Sequence, residues 1–156
     1  MKTLFVYCSD DELINSLCNE SALKTGEAKS LCLCGEKERS SFSRYFGINR
    51  VRRYSSVGSY GVDVSSFEKV IIACDEYMGE IPPEVSAFIT KSDLRYKAID
   101  CIVFADGRNA RKAKDSLKVR VSLSGGTVRN CVSISKAEAK KEAEDILFSV
   151  RHRLAV

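Results

Sequence analysis

The run Val70-Ile71-Ile72-Ala73-Cys74 is apolar at every position. A strand with one wet face alternates apolar and polar residues. A strand covered on both faces does not, so this run predicts a central strand of a parallel sheet with helices on either side. Leu4 to Cys8 has the same character, and Ile99 to Ala105 shares it apart from Asp100. With Ala28 to Cys34 and Thr127 onward they give five expected strands, over 4–8, 28–34, 69–74, 99–105 and 127–133. Helical periodicity fills the intervals. Ser9 or Asp10 caps a helix carrying Leu13, Ile14, Leu17, Cys18 and Leu23, which stops at Gly26. A helix is expected over 36–46, then a long irregular connection over 50–66 rich in Ser, Tyr and Gly. Pro82-Pro83 opens a helix through Val85, Phe88 and Ile89, with Pro83 in the first turn, where a missing N–H costs nothing. Ser135 and Glu138 form a capping box for the last helix, whose packing face holds Ala139, Ala143, Ile146, Leu147, Val150 and Leu154.

One stretch is ambiguous. Ala110, Ala113, Leu117 and Val121 share a helical face, but Val119, Val121 and Leu123 also alternate as in a half-exposed strand. A hairpin through Gly125-Gly126 competes with a helix stopped by Gly125. The helix is the reading that keeps strand and helix alternating, which gives a doubly wound α/β sheet. Ligands of such sheets bind beyond the carboxyl ends of the strands. The 156 residues contain no repeat and no linker, so 1–156 reads as a single domain.

Charge and cysteine usage exclude several classes. The net charge is +4, but it is patchy: residues 61–90 carry six negative charges and one positive, and residues 91–120 nine positive and four negative. Only Arg50, Arg52, Arg53 and Tyr54 interleave basic and aromatic residues, and they read as a solvated loop, so no nucleic-acid partner is expected. No apolar run is long enough to span a membrane, and the stretch ending at Cys8 is too short for a signal peptide. Five of the seven cysteines (Cys8, Cys32, Cys74, Cys101, Cys131) sit in apolar runs as small hydrophobes. No pair has Cys-x-x-Cys spacing, and a reducing, cytoplasmic setting is expected. The sole histidine, His152, lies on the last helix, away from the carboxyl edge, so no Ser–His or Cys–His pair is available.

The stretch Val64 to Ile89 resembles the third strand, flavin loop and third helix of small flavodoxins. There a buried strand precedes Gly-Thr-Pro-x-aromatic-x-Gly, a Pro and a helix ending in Phe-Leu. Tyr77 falls on the aromatic that packs on the isoalloxazine ring, and Gly79, Pro82 and Phe88 fall on the family's Gly, Pro and Phe. The order of the remaining elements is similar, so the resemblance covers nearly the whole chain. It implies a flavodoxin-like three-layer α/β sandwich with five parallel strands in the order 2-1-3-4-5. It also implies FMN as cofactor, electron transfer as the scaffold's role, and a redox or signalling protein as partner. Any enzymatic activity would be flavin-dependent redox chemistry. The implied site consists of Ser9, Asp10 and Asp11; Cys74, Asp75, Glu76, Tyr77, Met78 and Gly79; and Asp106, Gly107 and Arg108.

The first loop departs from the family pattern. Flavodoxins carry Ser-x-Thr-Gly-x-Thr, whose hydroxyls and N–H groups cradle a phosphate at a helix N-terminus. This chain has Ser9-Asp10-Asp11-Glu12-Leu13, with one hydroxyl, no Gly and three carboxylates where a dianion would sit. In the second loop the family's Thr-Pro is Cys74-Asp75. The expectation is weak or absent FMN binding, with the carboxyl-edge pocket left to a binding or interaction role. The alternative is a working FMN carrier that holds the flavin through Tyr77, Met78, Gly107 and Arg108. A third reading has Asp10, Asp11 and Asp75 converge on Mg²⁺, which resembles the receiver domains of response regulators.

Overall fold

The computed structural model describes residues 2–24, 28–33 and 63–142. The strands are β1 (Thr3–Cys8), β2 (Ala28–Cys32), β3 (Lys69–Asp75), β4 (Ala98–Phe104) and β5 (Thr127–Ile134). The helices are α1 (Glu12–Lys24), α2 (Pro83–Lys91), α3 (Gly107–Leu123) and α4, which begins at 136 and is described to 142. The five strands pair in parallel in the order β2-β1-β3-β4-β5. The helix expected over 36–46, the basic stretch Arg50 to Tyr54, Gly26, Cys34, His152 and the far end of the last helix lie outside the described residues.

The sheet separates two apolar layers by side-chain parity. Leu4, Val6 and Cys8 of β1 join Val70, Ile72, Cys74, Ile99, Cys101 and Val103 on the face that packs against α2 and α3. Phe5, Tyr7, Ala73 and Phe104 face the other way, toward Ile14, Leu17, Cys18 and Ala22 of α1 and Ala139 of α4. Both faces are covered, which is why the central strands tolerate no polar parity. In α1 the buried stripe is Ile14, Leu17, Cys18 and Ala22. Leu23, expected on that stripe, is 63% exposed, because Ala22 takes the last inward position.

The ambiguous stretch is helical throughout, and its C-terminus shows why. The Gly125 amide donates to the Ser122 carbonyl and the Gly126 amide to the Val121 carbonyl, both at 3.1 Å. Gly125 has φ +83. These are the two bonds of a Schellman cap, which needs a left-handed residue just past the helix. They turn the chain into β5, where a hairpin would have needed residues 118–123 extended. A side chain at Gly125 would also meet Arg95 Cγ at 2.7 Å. Gly125→Ala is expected to destabilise the fold by about 1–2 kcal/mol in urea unfolding, and Gly125→Asn by less, since Asn tolerates the left-handed region better.

Candidate functional site

Strand register builds the first part of the site. Cys8 lies opposite Cys74 in the β1–β3 pair, so the next residues, Ser9 and Asp75, emerge together at the carboxyl edge. The Ser9 hydroxyl donates to Asp75 Oδ2 at 2.8 Å and the Asp10 amide donates to the same oxygen at 2.9 Å. The Asp11 amide donates to Ser9 Oγ at 3.0 Å, and the Leu13 amide to Asp11 Oδ1 at 2.9 Å. Asn15 clamps the loop from α1: its Oδ1 accepts from the Ser9 amide at 3.1 Å and its Nδ2 donates to the Ser9 carbonyl at 2.9 Å. The amides of Ser9, Asp10, Asp11 and Leu13 all therefore bond to side-chain oxygens of the chain itself. The helix cap expected from Ser9 or Asp10 is made by Asp11, one residue nearer the helix.

Two lysines of α4 reach this acidic corner. Lys136 Nζ lies 3.5 Å from Asp75 Oδ2, and Lys140 Nζ lies 2.8 Å from Asp11 Oδ2. Four residues apart, they occupy one helical face. For Asp11, burial pushes the carboxyl up, but the Lys140 bond and the Leu13 and Ile14 amides outweigh it and hold the group below its ordinary value. Asp75 goes the other way. It is 5% exposed, and burial raises its carboxyl; the Asp10 amide, Ser9 hydroxyl and Lys136 only partly offset this. Oδ1 of Asp75 is buried and has no hydrogen-bond partner among the described residues. The convergence of Asp10, Asp11 and Asp75 on a cation does not appear: no described group of three or more His, Cys, Asp and Glu side chains is placed to hold a metal ion. Asp11 is turned to its own helix and Lys140, and Asp10 is exposed.

The second loop is a two-residue turn. The Tyr77 amide donates to the Glu80 carbonyl at 2.8 Å, and the Glu80 amide to the Tyr77 carbonyl at 2.9 Å. Both central residues are left-handed, Met78 at φ 52 and Gly79 at φ 82, as a type I′ turn demands. The Gly79 amide donates to Glu76 Oε2 at 2.8 Å. A Cβ at Gly79 would lie 3.1 Å from Lys112 Cδ, and Ser116 Oγ donates to Glu80 Oε2 at 3.1 Å. The turn thus rests on α3, and a side chain at Gly79 would need Lys112 to shift. It leaves Tyr77 57% and Met78 79% exposed at the carboxyl edge. These two offer an aromatic and a thioether surface to a planar apolar ligand.

The other expected site residues divide by environment. The Cys74 side chain is fully buried in the core, and burial, with the Asp75 charge added, keeps its thiol protonated. Asp106, Gly107 and Arg108 are exposed at the start of α3. Sequence reasoning missed Asn15, whose pairing with Ser9 spans six residues and has no periodic signature. It also missed Lys140; the spacing of Lys136 and Lys140 was the available signal.

No protein-family model matches the chain, and no curated protein matches it either. Solved structures do. A Lactobacillus acidophilus NCFM flavoprotein in complex with FMN superposes with a TM-score of 0.64 at 11% identity, covering 90% of this chain and 97% of its own. A Fusobacterium nucleatum flavodoxin bound to flavin mononucleotide gives 0.52 at 13% identity, covering 98% and 99%. An azoreductase from Bacillus anthracis str. Sterne gives 0.54 at 13%, covering 94% and 98%. At such identities the likeness is one of fold. The chain has the flavodoxin-like α/β fold, and proteins that bind FMN are among those that share it. Among the described residues no helix is long and apolar enough to cross a membrane.

Because the folded state raises the Asp75 carboxyl above its ordinary value of 3.8, the group's favourable contribution is present below that value and is lost as pH rises through the raised one. Asp75→Asn keeps an acceptor for Ser9 and Asp10 and removes the buried charge. Its melting temperature should therefore gain on the wild type as pH rises from about 4 to about 7; a constant or shrinking difference would contradict the burial effect. Met78→Asn should add about 0.5–1 kcal/mol of stability, because Asn-Gly suits a type I′ turn and a thioether side chain does not.

Proposed function

We propose that this flavodoxin-like domain fills its own phosphate position with the Asp75 carboxylate. On this reading it binds FMN weakly or not at all, and it uses the exposed Tyr77–Met78 edge to bind a planar ligand or a protein partner. The observation that carries the reading is the double bond from the Ser9 hydroxyl and Asp10 amide to Asp75 Oδ2. In the flavodoxin pattern the first loop presents such donors to a phosphate. Here a phosphate would have to displace an internal carboxylate whose charge-assisted hydrogen bonds contribute about 1.5–3 kcal/mol each. It would also meet the charge of Asp75 at close range. Two anions about 4 Å apart repel by about 4 kcal/mol at a partly buried site. The phosphate half of FMN does not fit the loop as it stands.

The ring half meets a different surface. Tyr77 and Met78 are held outward by a turn braced on α3, and an isoalloxazine ring makes no demand on the Ser9–Leu13 amides. When bound, a flavin supplies one- and two-electron redox chemistry; the residues of this chain would stack on it and shield it from water. Cation chemistry of the receiver kind finds no support in the placement of Asp10 and Asp11.

Titration of the protein with FMN and with riboflavin separates the two halves. Similar affinity for both is expected, or no measurable binding of either. Asp75→Ala, which releases the Ser9 hydroxyl and the Asp10 amide, should raise affinity for FMN about tenfold or more, equivalent to about 1.4 kcal/mol, and leave riboflavin unchanged. Tight FMN binding by the wild type with poor riboflavin binding would overturn the reading and leave a working FMN carrier.

A further inference from the structure

Positive charge gathers on one helix, α3. Arg108, Arg111, Lys112, Lys114, Lys118 and Arg120 lie within Gly107–Leu123, and Asp115 is the only acid there. All are exposed except Lys114, which is half-buried. Elsewhere Lys69, Arg95, Lys136 and Lys140 each pair with an aspartate, but no α3 cation makes an ion pair among the described residues. This charge does not serve the helix. Anions suit the N-terminal end of a helix, yet the first turn of α3 holds Arg108 and no acid, and Asp106 before it makes no side-chain cap bond. Arg108 and Lys112, Arg111 and Lys114, and Lys114 and Lys118 stand three or four residues apart, where like charges destabilise a helix.

The exposed turn adjoins this helix. The Lys112 side chain lies along Gly79, and Ser116 Oγ donates to Glu80. Tyr77 and Met78 therefore stand in solvent beside the N-terminal half of α3, on the side that carries Arg108 and Lys112. An aromatic and a thioether bordered by unpaired cations have the composition of a protein interface, with an apolar centre and a charged rim. Other anionic partners fit less well. The apolar stripe of α3 (Ala110, Ala113, Leu117, Val121) is buried in the core, so it cannot enter a bilayer. The helix carries no aromatic side chain on which bases could stack. A second copy related by a two-fold axis would set one α3 against another, like charge to like.

We propose that Tyr77, Met78 and the outward face of α3 form one docking surface for an acidic protein. Tyr77 and Met78 enter an apolar patch of the partner, and Arg108 and Lys112 meet carboxylates around it. The remaining cations of α3 attract that partner from a distance and steer its approach. The proposal rests on the Tyr77–Met78 edge being a binding surface, and it makes the occupant a protein.

The test titrates the isotope-labelled full chain and reads amide shifts by NMR. One probe is a Glu-rich amphipathic helical peptide with Leu and Phe on its apolar side, and its control has Lys in place of every Glu. The other probes are an oligo(dT) strand and phosphatidylcholine vesicles containing phosphatidylserine. The Glu peptide is expected to bind most tightly and to shift Tyr77, Met78, Gly79, Arg108 and Lys112 together. The Lys peptide should not bind, and salt should weaken the Glu complex. Lys112→Gln should weaken it about fivefold, the factor that one ion pair gives in water. Lys118→Gln, on the β5 side of α3, should weaken it less. Met78→Ala should weaken it and leave its salt dependence unchanged. Arg108→Glu should weaken it while raising the melting temperature, because an anion suits the first turn of a helix; lost docking is thereby separated from lost folding. Equal binding of the Glu and Lys peptides would overturn the proposal, as would tighter binding of oligo(dT) or vesicles, or Glu-peptide shifts confined to α3. In that last case riboflavin shifts at Tyr77–Gly79 would keep the edge as a ligand surface, and their absence would remove the edge as well.

Discussion

The carboxyl edge of this molecule is organised around one oxygen, Oδ2 of Asp75. It joins two strand ends whose residues lie 66 positions apart in the chain, and it does so with a hydroxyl and a backbone amide from the same loop. The loop that begins α1 takes its shape from this bond. Ser9, pinned to Asp75, accepts from the Asp11 amide, and Asp11 then caps the helix. Removing the carboxylate would free donors that the fold otherwise holds against water. The position is therefore a structural joint at the carboxyl edge of the sheet.

The electrostatics of the joint are balanced from a distant part of the chain. Three acids gather near the ends of β1 and β3, and α4 brings Lys136 and Lys140 to two of them. The compensation is uneven. Asp11 is held ionised by a short ion pair and by the amides of its own helix. Asp75 is buried more deeply, and its lysine is farther away, so its charge is less well supported. Burial, with the Asp75 charge added, raises the neighbouring Cys74 thiol, so that cysteine stays protonated in the core.

Much of the fold was legible in the sequence because it rests on local signals. Apolar runs marked the doubly covered strands, whereas residues 108–124 read as helix only because that keeps strand and helix alternating; the cap at Gly125-Gly126 that decides against a hairpin is visible only in the structure. The face of α1 was legible except at its last turn, where Ala22 and Leu23 compete and packing, not hydropathy, chooses. The site was legible by location and not by role. Ser9, Asp10, Asp11 and Asp75 were expected at the carboxyl ends of the strands, with a common cation for the three carboxylates as only one of the readings open. Which oxygen meets which amide depends on the pairing of Cys8 with Cys74, a contact that no local pattern encodes. The facing of β5 was not legible for a related reason: a single bulge at Arg129 inverts the strand's parity and sets Cys131 opposite Cys101, packed against the core.

The bond at Asp75 Oδ2 can be watched directly. In a pH titration followed by NMR, the side-chain carboxyl carbon of Asp75 and the amide proton of Asp10 should move together, with one midpoint above the ordinary carboxylate value of 3.8. The amide of Asp10 should shift downfield as the carboxylate forms, since a charged acceptor strengthens the bond. An Asp75 midpoint below 3.8 would contradict the dominance of burial over these hydrogen bonds, and an Asp10 amide indifferent to the titration would contradict an internal carboxylate in the loop.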